Sequence, residues 1–498
     1  MPIQSPASSL AIANPKSVSR VIHVAPAVPA GNISEWSWWR ENVNKDFGVP
    51  LPPFKGGANF DVVIVGGGFT GLWTALTLKE RNPDLSVAIL EAYRLGDGAS
   101  SRNGGIVHGY WQSLASNIRA FGTDAALDLA LLGSKAQQSF KAYASEPGRN
   151  VDWKEAGNLR VATCAAQEKS LADFLQKCQG LGVEKYIQPL NSAQVSEIIG
   201  SKVFGNGIFF PEAGNVHPGK LVLALKRSVI EAGVKIFEQT QVERIDPGQG
   251  GLQRVQVKDG ILVTPQVVLA TNVGLSQLPG LGSKLSIFSS FATMSNPCEA
   301  ALDQLNWQQP VGVNDARMFL HYFRKTADNR VLMGSGSGPI GFTRDASNPR
   351  LRNDSSSLQR AKSGMARLLP AVSSSGFAKT WGWPIDVSAD RVPFFGTLRP
   401  GVHYGGGFSG HGVQATWIAG QCLSSLVMGA KDEWSQSIFC RRAVPNLPPE
   451  PIKYMGANAI RWGVLNCEEA EQLNRRGNLS AQGLAALPNL LGLRIGVR

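Results

Sequence analysis

Apolar residues along this chain follow two rhythms, and the first clear instance begins at Asp61. The run Val62-Val-Ile-Val65 is short and β-branched, which predicts a strand covered on both faces. Leu72, Ala75, Leu76 and Leu78 then recur at helical spacing, and Ser86-Val-Ala-Ile-Leu90 predicts a second parallel strand. A helix is expected over 113–145, a strand at Asn158 to Ala162 and a helix over 166–180. Asn215-Val-His-Pro-Gly219 opens a further helix. Pro218 sits in its first turn, His217 reads as its cap, Leu221, Val222, Leu225 and Val229 line one face, and Gly233 ends it. Strands are expected at Val234 to Ile236 and Thr240 to Ile245, and a hairpin at Leu252 to Val257 and Ile261 to Thr264. Val267-Val-Leu-Ala-Thr271 reads as a strand returning to the first sheet. Strand-like runs follow between 284 and 340, notably Met318 to Arg324 and Arg330 to Gly334. A tail punctuated by Pro445, Pro448, Pro449 and Pro451 leads to a terminal helical region.

The turn between the first strand and helix carries candidate chemistry. Gly66, Gly68 and Gly71 stand at GxGxxG spacing, and Glu91 closes the second strand. The first glycine permits the tight turn, the second lets backbone approach a pyrophosphate, and the third lets helix pack on strand; the acid suits ribose hydroxyls. The helix start offers free N–H groups to phosphate. A glycine turn alone is weak evidence, but strand, helix and acid together point to a dinucleotide site. Leu95-Gly-Asp-Gly-Ala-Ser-Ser-Arg-Asn-Gly-Gly105, directly after the second strand, reads as a second cradle rather than a plain surface turn.

Length and composition narrow the partners. At 498 residues, 43% hydrophobic and 17% charged, the chain is expected to form two intimately joined domains. No window supplies the roughly 18 uninterrupted apolar residues of a membrane span. Six scattered cysteines without a CxxC pair argue against a metal site or disulfide scaffold and fit a reducing compartment. The net charge of +12 is dispersed, which argues against nucleic acid. The first 34 residues lack any acid and carry five prolines, as a loosely draped extension would, and Trp36, Trp38 and Trp39 suggest a segment folding back onto the body. Leu479 to Arg498 mixes leucines with Arg494 and Arg498; Pro488 and its glycines favour packing or disorder over a membrane-surface helix.

In order, VVIVGGGFTGLWTAL (62–76), GASSRNGG (98–105), NVHPGKL (215–221), DRVPFFG (390–396) and GGGFSGHGV (405–413) resemble the FAD-dependent D-amino-acid oxidase superfamily. That group includes glycine and sarcosine oxidases, and the similarity is greatest to the gamma-glutamylputrescine oxidoreductase branch. It spans about 36 to 476. The resemblance implies a mixed α/β fold: a Rossmann-like FAD-binding domain (58–150, 213–278 and 378–440) and a discontinuous substrate domain on a large mixed or antiparallel sheet (151–212 and 279–377). An N-terminal extension (1–57) and a C-terminal helical extension (441–498) flank them. It implies non-covalent FAD. Gly66, Gly68, Phe69, Thr70 and Gly71 would take the pyrophosphate, Glu91 the ribose, and Ala99, Ser100, Arg102, Asn103, Gly104 and Gly105 the pyrophosphate and flavin. Val242 would add a cofactor contact, and Gly407, Phe408, Ser409, Gly410, His411, Gly412 and Val413 would close over the ring. Trp383, where relatives often carry a small residue, would reshape the substrate pocket.

The implied reaction removes a hydride from an amine-bearing carbon to flavin N5, and the imine then hydrolyses. No metal and no catalytic triad are expected. His411 suits flavin tuning or an amine proton, with a loop-bound histidine as the alternative. His108 is a second candidate to face the ring. Tyr322 and Arg324 share one side of a strand, and relatives grip a carboxylate with such a pair; an arginine paired on the sheet is the alternative. Asp386 and Arg391 are expected to form an internal pair that supports the flavin loop. Partners would be an amine or amino acid and O2 or a quinone, in the cytoplasm or peripheral to the inner membrane. An NAD(P)H-dependent flavin monooxygenase and a non-catalytic flavin-binding partner protein stay open as rival readings.

Overall fold

A computed structural model describes residues 21–342 and 345–490. Its first layer is a six-stranded sheet in the order Lys235–Phe237, Val87–Leu90, Val62–Val65, Gln266–Leu269, Val402–Gly406 and Phe394–Arg399. The first five strands are parallel and the last is antiparallel. Val62 and Ile64 pack with Leu72, Leu76, Leu221 and Leu225 from the helices Phe69–Arg81 and Pro218–Glu231. Val63 and Val65 face the other way, against Val255 and Leu262 of a five-stranded sheet. That double burial is why the run has no polar alternation. The expected cap is present: the His217 ring accepts the Lys220 N–H, with Pro218 in the first turn.

The second layer is an eight-stranded sheet, antiparallel except where Gly312–Asp315 runs parallel to Asn158–Val161. Its strands alternate. Leu159, Val161, Val313, Phe323 and Met333 pack against Met365 and Leu368 of the helix Ser355–Leu368. Asn158, Arg160, Asn314 and Tyr322 occupy the opposite face and line a cavity between the layers.

Several boundaries differ from expectation. Phe377–Ser388, assigned from sequence largely to the FAD-binding domain, is the edge strand of the eight-stranded sheet, because its register with Leu285–Ser295 runs almost its full length. The helix expected over 113–145 is two, Leu114–Phe121 and Thr123–Ser145, broken at Gly122 with φ of 83°. Ile22–His23, within the extension 1–57, and Gly56–Asn59, which straddles its end, are the two edges of the five-stranded sheet. The expectation for the first 20 residues lies outside the described residues, as do Arg494 and Arg498.

Trp39 is buried among Ala292, Met294, Leu332 and Trp381, so the tryptophan-rich segment does fold back. Arg40 follows it, 1% exposed, with Nε donating to Asp97 at 2.9 Å and its guanidinium carbon 3.9 Å from the Phe47 ring centroid. At the other end, Leu479–Leu490 packs on Ile452–Gln472, with the Ala481 carbonyl and Leu484 against Gly463. Among the described residues no helix is long and apolar enough to cross a membrane. Removing one partner of a buried ion pair strands the other charge. Arg40→Ala is therefore expected to lower stability by about 3–5 kcal/mol, read as a fall in the urea midpoint; a loss under about 1 kcal/mol would mean that water replaces the guanidinium.

Candidate functional site

The strand Val62–Val65 ends at Gly66, whose φ is 109° and where a Cβ would lie 2.6 Å from the Ala270 carbonyl oxygen. At Gly71 a Cβ would lie 2.0 Å from the Gly66 carbonyl oxygen, so strand and helix meet at backbone distance. The Ser100 hydroxyl accepts the Phe69 N–H at 2.8 Å, at the first turn of the helix. The Glu91 carboxylate accepts the Gly67 N–H at 2.7 Å and the Tyr93 N–H at 2.9 Å. Burial pushes its pKa up to about 7 against those two hydrogen bonds. From this turn a cavity of about 610 Å³ extends to the face of the eight-stranded sheet.

The loop 96–105 lines the cavity with every residue but Ser101, and several of its carbonyls are claimed from elsewhere in the chain. Ser101 accepts the Ser37 hydroxyl, Arg102 the Trp381 indole at 2.9 Å, Asn103 the Trp39 indole at 2.8 Å and Gly104 the Arg324 Nε at 2.7 Å. Gly105 accepts the Val216 N–H at 2.8 Å. The Arg102 guanidinium lies 3.9 Å from the Trp383 ring centroid and donates to the Ala30 and Glu35 carbonyls, both at 2.6 Å. Trp383 is thus a platform for the loop as well as a cavity wall.

Beyond the loop, His108 and His411 meet edge to face, ring centroids 5.5 Å apart. Each Nδ1 is held by a backbone carbonyl, Gly109 at 2.9 Å and Ser409 at 3.0 Å, which sets the tautomer and leaves each Nε2 as an acceptor. Burial holds both rings below the ordinary histidine pKa, His411 well below, so both are neutral at pH 7. Ser409, at φ of 54°, and Gly407, at φ of 78°, turn the closing loop. The loop hangs from Asp386, whose carboxylate accepts the Gly407 N–H and the Asn272 amide at 3.0 Å. Arg391, expected as the partner of Asp386, donates instead to the Ser409 carbonyl, because the carboxylate is taken up by the closing loop's backbone and Asn272; the neighbouring Asp390 pairs with Arg442.

The residues expected to hold the cofactor line the cavity, Val242 included, apart from Gly71 and Gly407, which shape its turns from behind. Tyr322 lines it too, its hydroxyl 3.2 Å from the Ser290 hydroxyl. Arg324 is placed differently from the expected carboxylate grip. It stands behind the wall, with Nε on the Gly104 carbonyl and Nη2 on the Val216 carbonyl, because the buried loop needs its donors.

Three parts of the cavity escaped the sequence. Arg160, Asn158 and Asn314 line it from the sheet, and Val24 to Val28 wall the end beside Tyr93 and Gln241. Ile452, Ala457, Ile460 and Leu487 roof it from the C-terminal hairpin. That hairpin is pinned by the Glu468 carboxylate, which accepts the Met318 and Phe319 N–H groups, and by Arg461 on the Ser337 carbonyl. The polar–apolar alternation of Asn158-Leu-Arg-Val161 was the one legible signal among these.

A glycine-turn dinucleotide cleft continuous with a cavity under a large second sheet is the architecture of a two-layer flavoprotein oxidoreductase. The chain belongs to the family described as DAO, FAD dependent oxidoreductase, which it matches over residues 61–426. It is 27% identical over 421 residues to a probable oxidoreductase OrdL of Haemophilus influenzae, covering 82% of this chain and 92% of that one. To the gamma-glutamylputrescine oxidoreductase of Escherichia coli it is 26% identical over 428 residues, 85% of this chain and 94% of the other. Glycine oxidase from Geobacillus kaustophilus has the same fold, with a TM-score of 0.63 at 20% identity over 78% of this chain and all of that one. The enzyme is FAD-dependent. The turn fits that cofactor: its glycines leave room only for backbone, and the Ser100 and Glu91 oxygens are already arrayed around it.

If Glu91 bonds the ribose, Glu91→Ala should raise the FAD Kd about 10- to 100-fold, as loss of charged hydrogen bonds does; a fluorescence titration within twofold of the parent would remove Glu91 from cofactor contact. Asp386 gives a second test. Its pKa, raised by burial from 3.8 to about 7, means the folded state binds protons more readily than the unfolded one. Its effect on stability is therefore most favourable below about pH 4 and becomes destabilising as pH rises to about 7. Asp386→Asn should flatten that part of the melting-temperature profile, and a profile parallel to the parent's would place Asp386 in the ordinary carboxylate range.

Proposed function

We propose that this enzyme oxidises the C–N bond of an amine or amino acid to an imine, which water then hydrolyses. FAD, when bound, supplies the hydride acceptor at N5. The observation that carries the reading is the neutral, edge-to-face pair His108 and His411, at the inner end of the cavity that begins at the glycine turn. An amine releases hydride only with its nitrogen lone pair free, so the ammonium must first lose a proton. The two rings, which burial keeps from taking a proton, offer Nε2 acceptors that suit the N–H groups of the free amine and favour binding it in that form. The Tyr322 hydroxyl and the Asn314 amide, on the facing sheet, suit orientation of the substrate. The roof from Ile460, Ala457 and Leu487 keeps water from the reacting carbon. Electrons would leave to O2 or to a quinone.

The support from relatives is of the same kind. A gamma-glutamylputrescine oxidoreductase, a sarcosine oxidase subunit of Rhodobacter capsulatus and a glycine oxidase are named for amine or amino-acid donors. The test is the visible spectrum of the flavin-loaded enzyme without oxygen, before and after adding pooled amines and amino acids. Bleaching of the flavin band is expected. A band that persists with the pool but bleaches with NAD(P)H would favour a monooxygenase. His411→Asn should slow bleaching about 100-fold, as misplacement of a reacting amine does; an unchanged rate would take His411 out of amine positioning.

A further inference from the structure

The cavity wall changes character across the eight-stranded sheet. Asn158 and Asn314, on the neighbouring strands Asn158–Val161 and Gly312–Asp315, make one side polar. Phe288 and Ile385 line it from Leu285–Ser295 and Phe377–Ser388, the last two strands toward one edge. Met318 and Leu320 join them, as do Ala457 and Leu487 of the C-terminal hairpin. These six side chains are only half-buried, although the cavity they line runs between two layers of the molecule. Polar groups at this end are already engaged. Lys453 is held by Glu450 at 3.2 Å and by the Leu285 carbonyl at 3.4 Å, and the Tyr322 and Ser290 hydroxyls meet at 3.2 Å.

The same end holds room. A Cβ at Gly456, on the helix Ile452–Gln472, would meet nothing within 4 Å, and the same is true at Gly336. Both glycines line the cavity, so the space before them is cavity volume. Ile452, Gly456, Ala457 and Ile460 recur at helical spacing, and all four line the cavity with one face of that helix. The face is fixed in place, because Arg461 donates to the Ser337 carbonyl at 2.7 Å and Phe319 packs with Ile460 and Val464. It also adjoins the loop that carries His411: a Cβ at Gly410 would lie 3.5 Å from the Ile385 Cδ1.

We propose that this end of the cavity is a hydrocarbon-binding pocket, and that the substrate is an amine bearing an alkyl or aryl group of several carbons. The amine faces His108 and His411, and the hydrocarbon runs under the hairpin past Gly456. A small polar amine leaves the half-buried apolar wall in water, whereas a chain covers it and gains affinity with each methylene. The inference deepens the amine-oxidation reading and rests on it for the substrate's other end.

The test needs no turnover. The flavin-loaded enzyme is titrated by calorimetry with unbranched aliphatic amides of two to eight carbons, which offer no amine to oxidise. The Kd is expected to fall about fourfold per added methylene and then to level off where the pocket ends. Gly456→Leu, a change that favours the helix, should end that gain about three carbons earlier and leave FAD content and the acetamide Kd unchanged. Gly456→Ala should end it about one carbon earlier. A Kd independent of chain length, or a gain that runs to the same length in both variants, would overturn the proposal. If Gly456→Leu does not fold, Gly456→Ala and the series on the parent enzyme decide. A chain-length series in an enzyme whose flavin no amine bleaches would sink the amine-oxidation reading and leave the pocket standing. Bleaching at equal kcat/KM by ethylamine and hexylamine would do the reverse.

Discussion

A buried loop cannot satisfy its own backbone, and much of the arrangement around this cavity follows from that. The carbonyls of residues 101 to 105 each need a donor, and in order they receive Ser37, Trp381, Trp39, Arg324 and the Val216 N–H. A carbonyl left without a partner at such depth costs about 1–3 kcal/mol. Five in a row would consume much of a domain's net stability. The N-terminal segment, the large sheet and the helix that starts at Pro218 are therefore locked to one another through the loop. Arg102 extends the lock by reaching back to Ala30 and Glu35.

Electrostatics then divides the cavity. At the glycine turn the charged candidate is Glu91, an acid whose proton affinity is raised by burial. At the sheet end Arg160 lies near two imidazoles that burial keeps neutral. The loop 96–105 lines the cavity and is held by Trp39 on the Asn103 carbonyl and by Arg40 on Asp97.

The C-terminal hairpin supplies the remaining wall. Residues 452–490 lie beyond the span of the family match, yet Ile452, Ala457, Ile460 and Leu487 close the cavity. They are held by Glu468 on two backbone N–H groups and by Arg461 on a carbonyl, contacts to backbone that tolerate sequence change in the partner. One wall of the cavity is thus built by a segment that lies beyond the residues of the family match.

The sequence by itself determined what depends on neighbours in the chain. The turn at Gly66 to Gly71, the strand ahead of it, the Pro218 helix with its His217 cap and the acid at Glu91 follow from local sterics and hydrophobic period, and motif order pointed to the FAD family. The placement of side chains that meet from distant strands was decided only by the tertiary structure. Nothing near Arg324 in the chain says that its donors go to Gly104 and Val216, and nothing near Arg160 says that it goes without an acid. Both sit on apolar-alternating strands and look alike in sequence. Their difference arises from what lies across the sheet and under the loop, because hydrogen-bond partners and counter-ions are set by distance in space and not by distance along the chain.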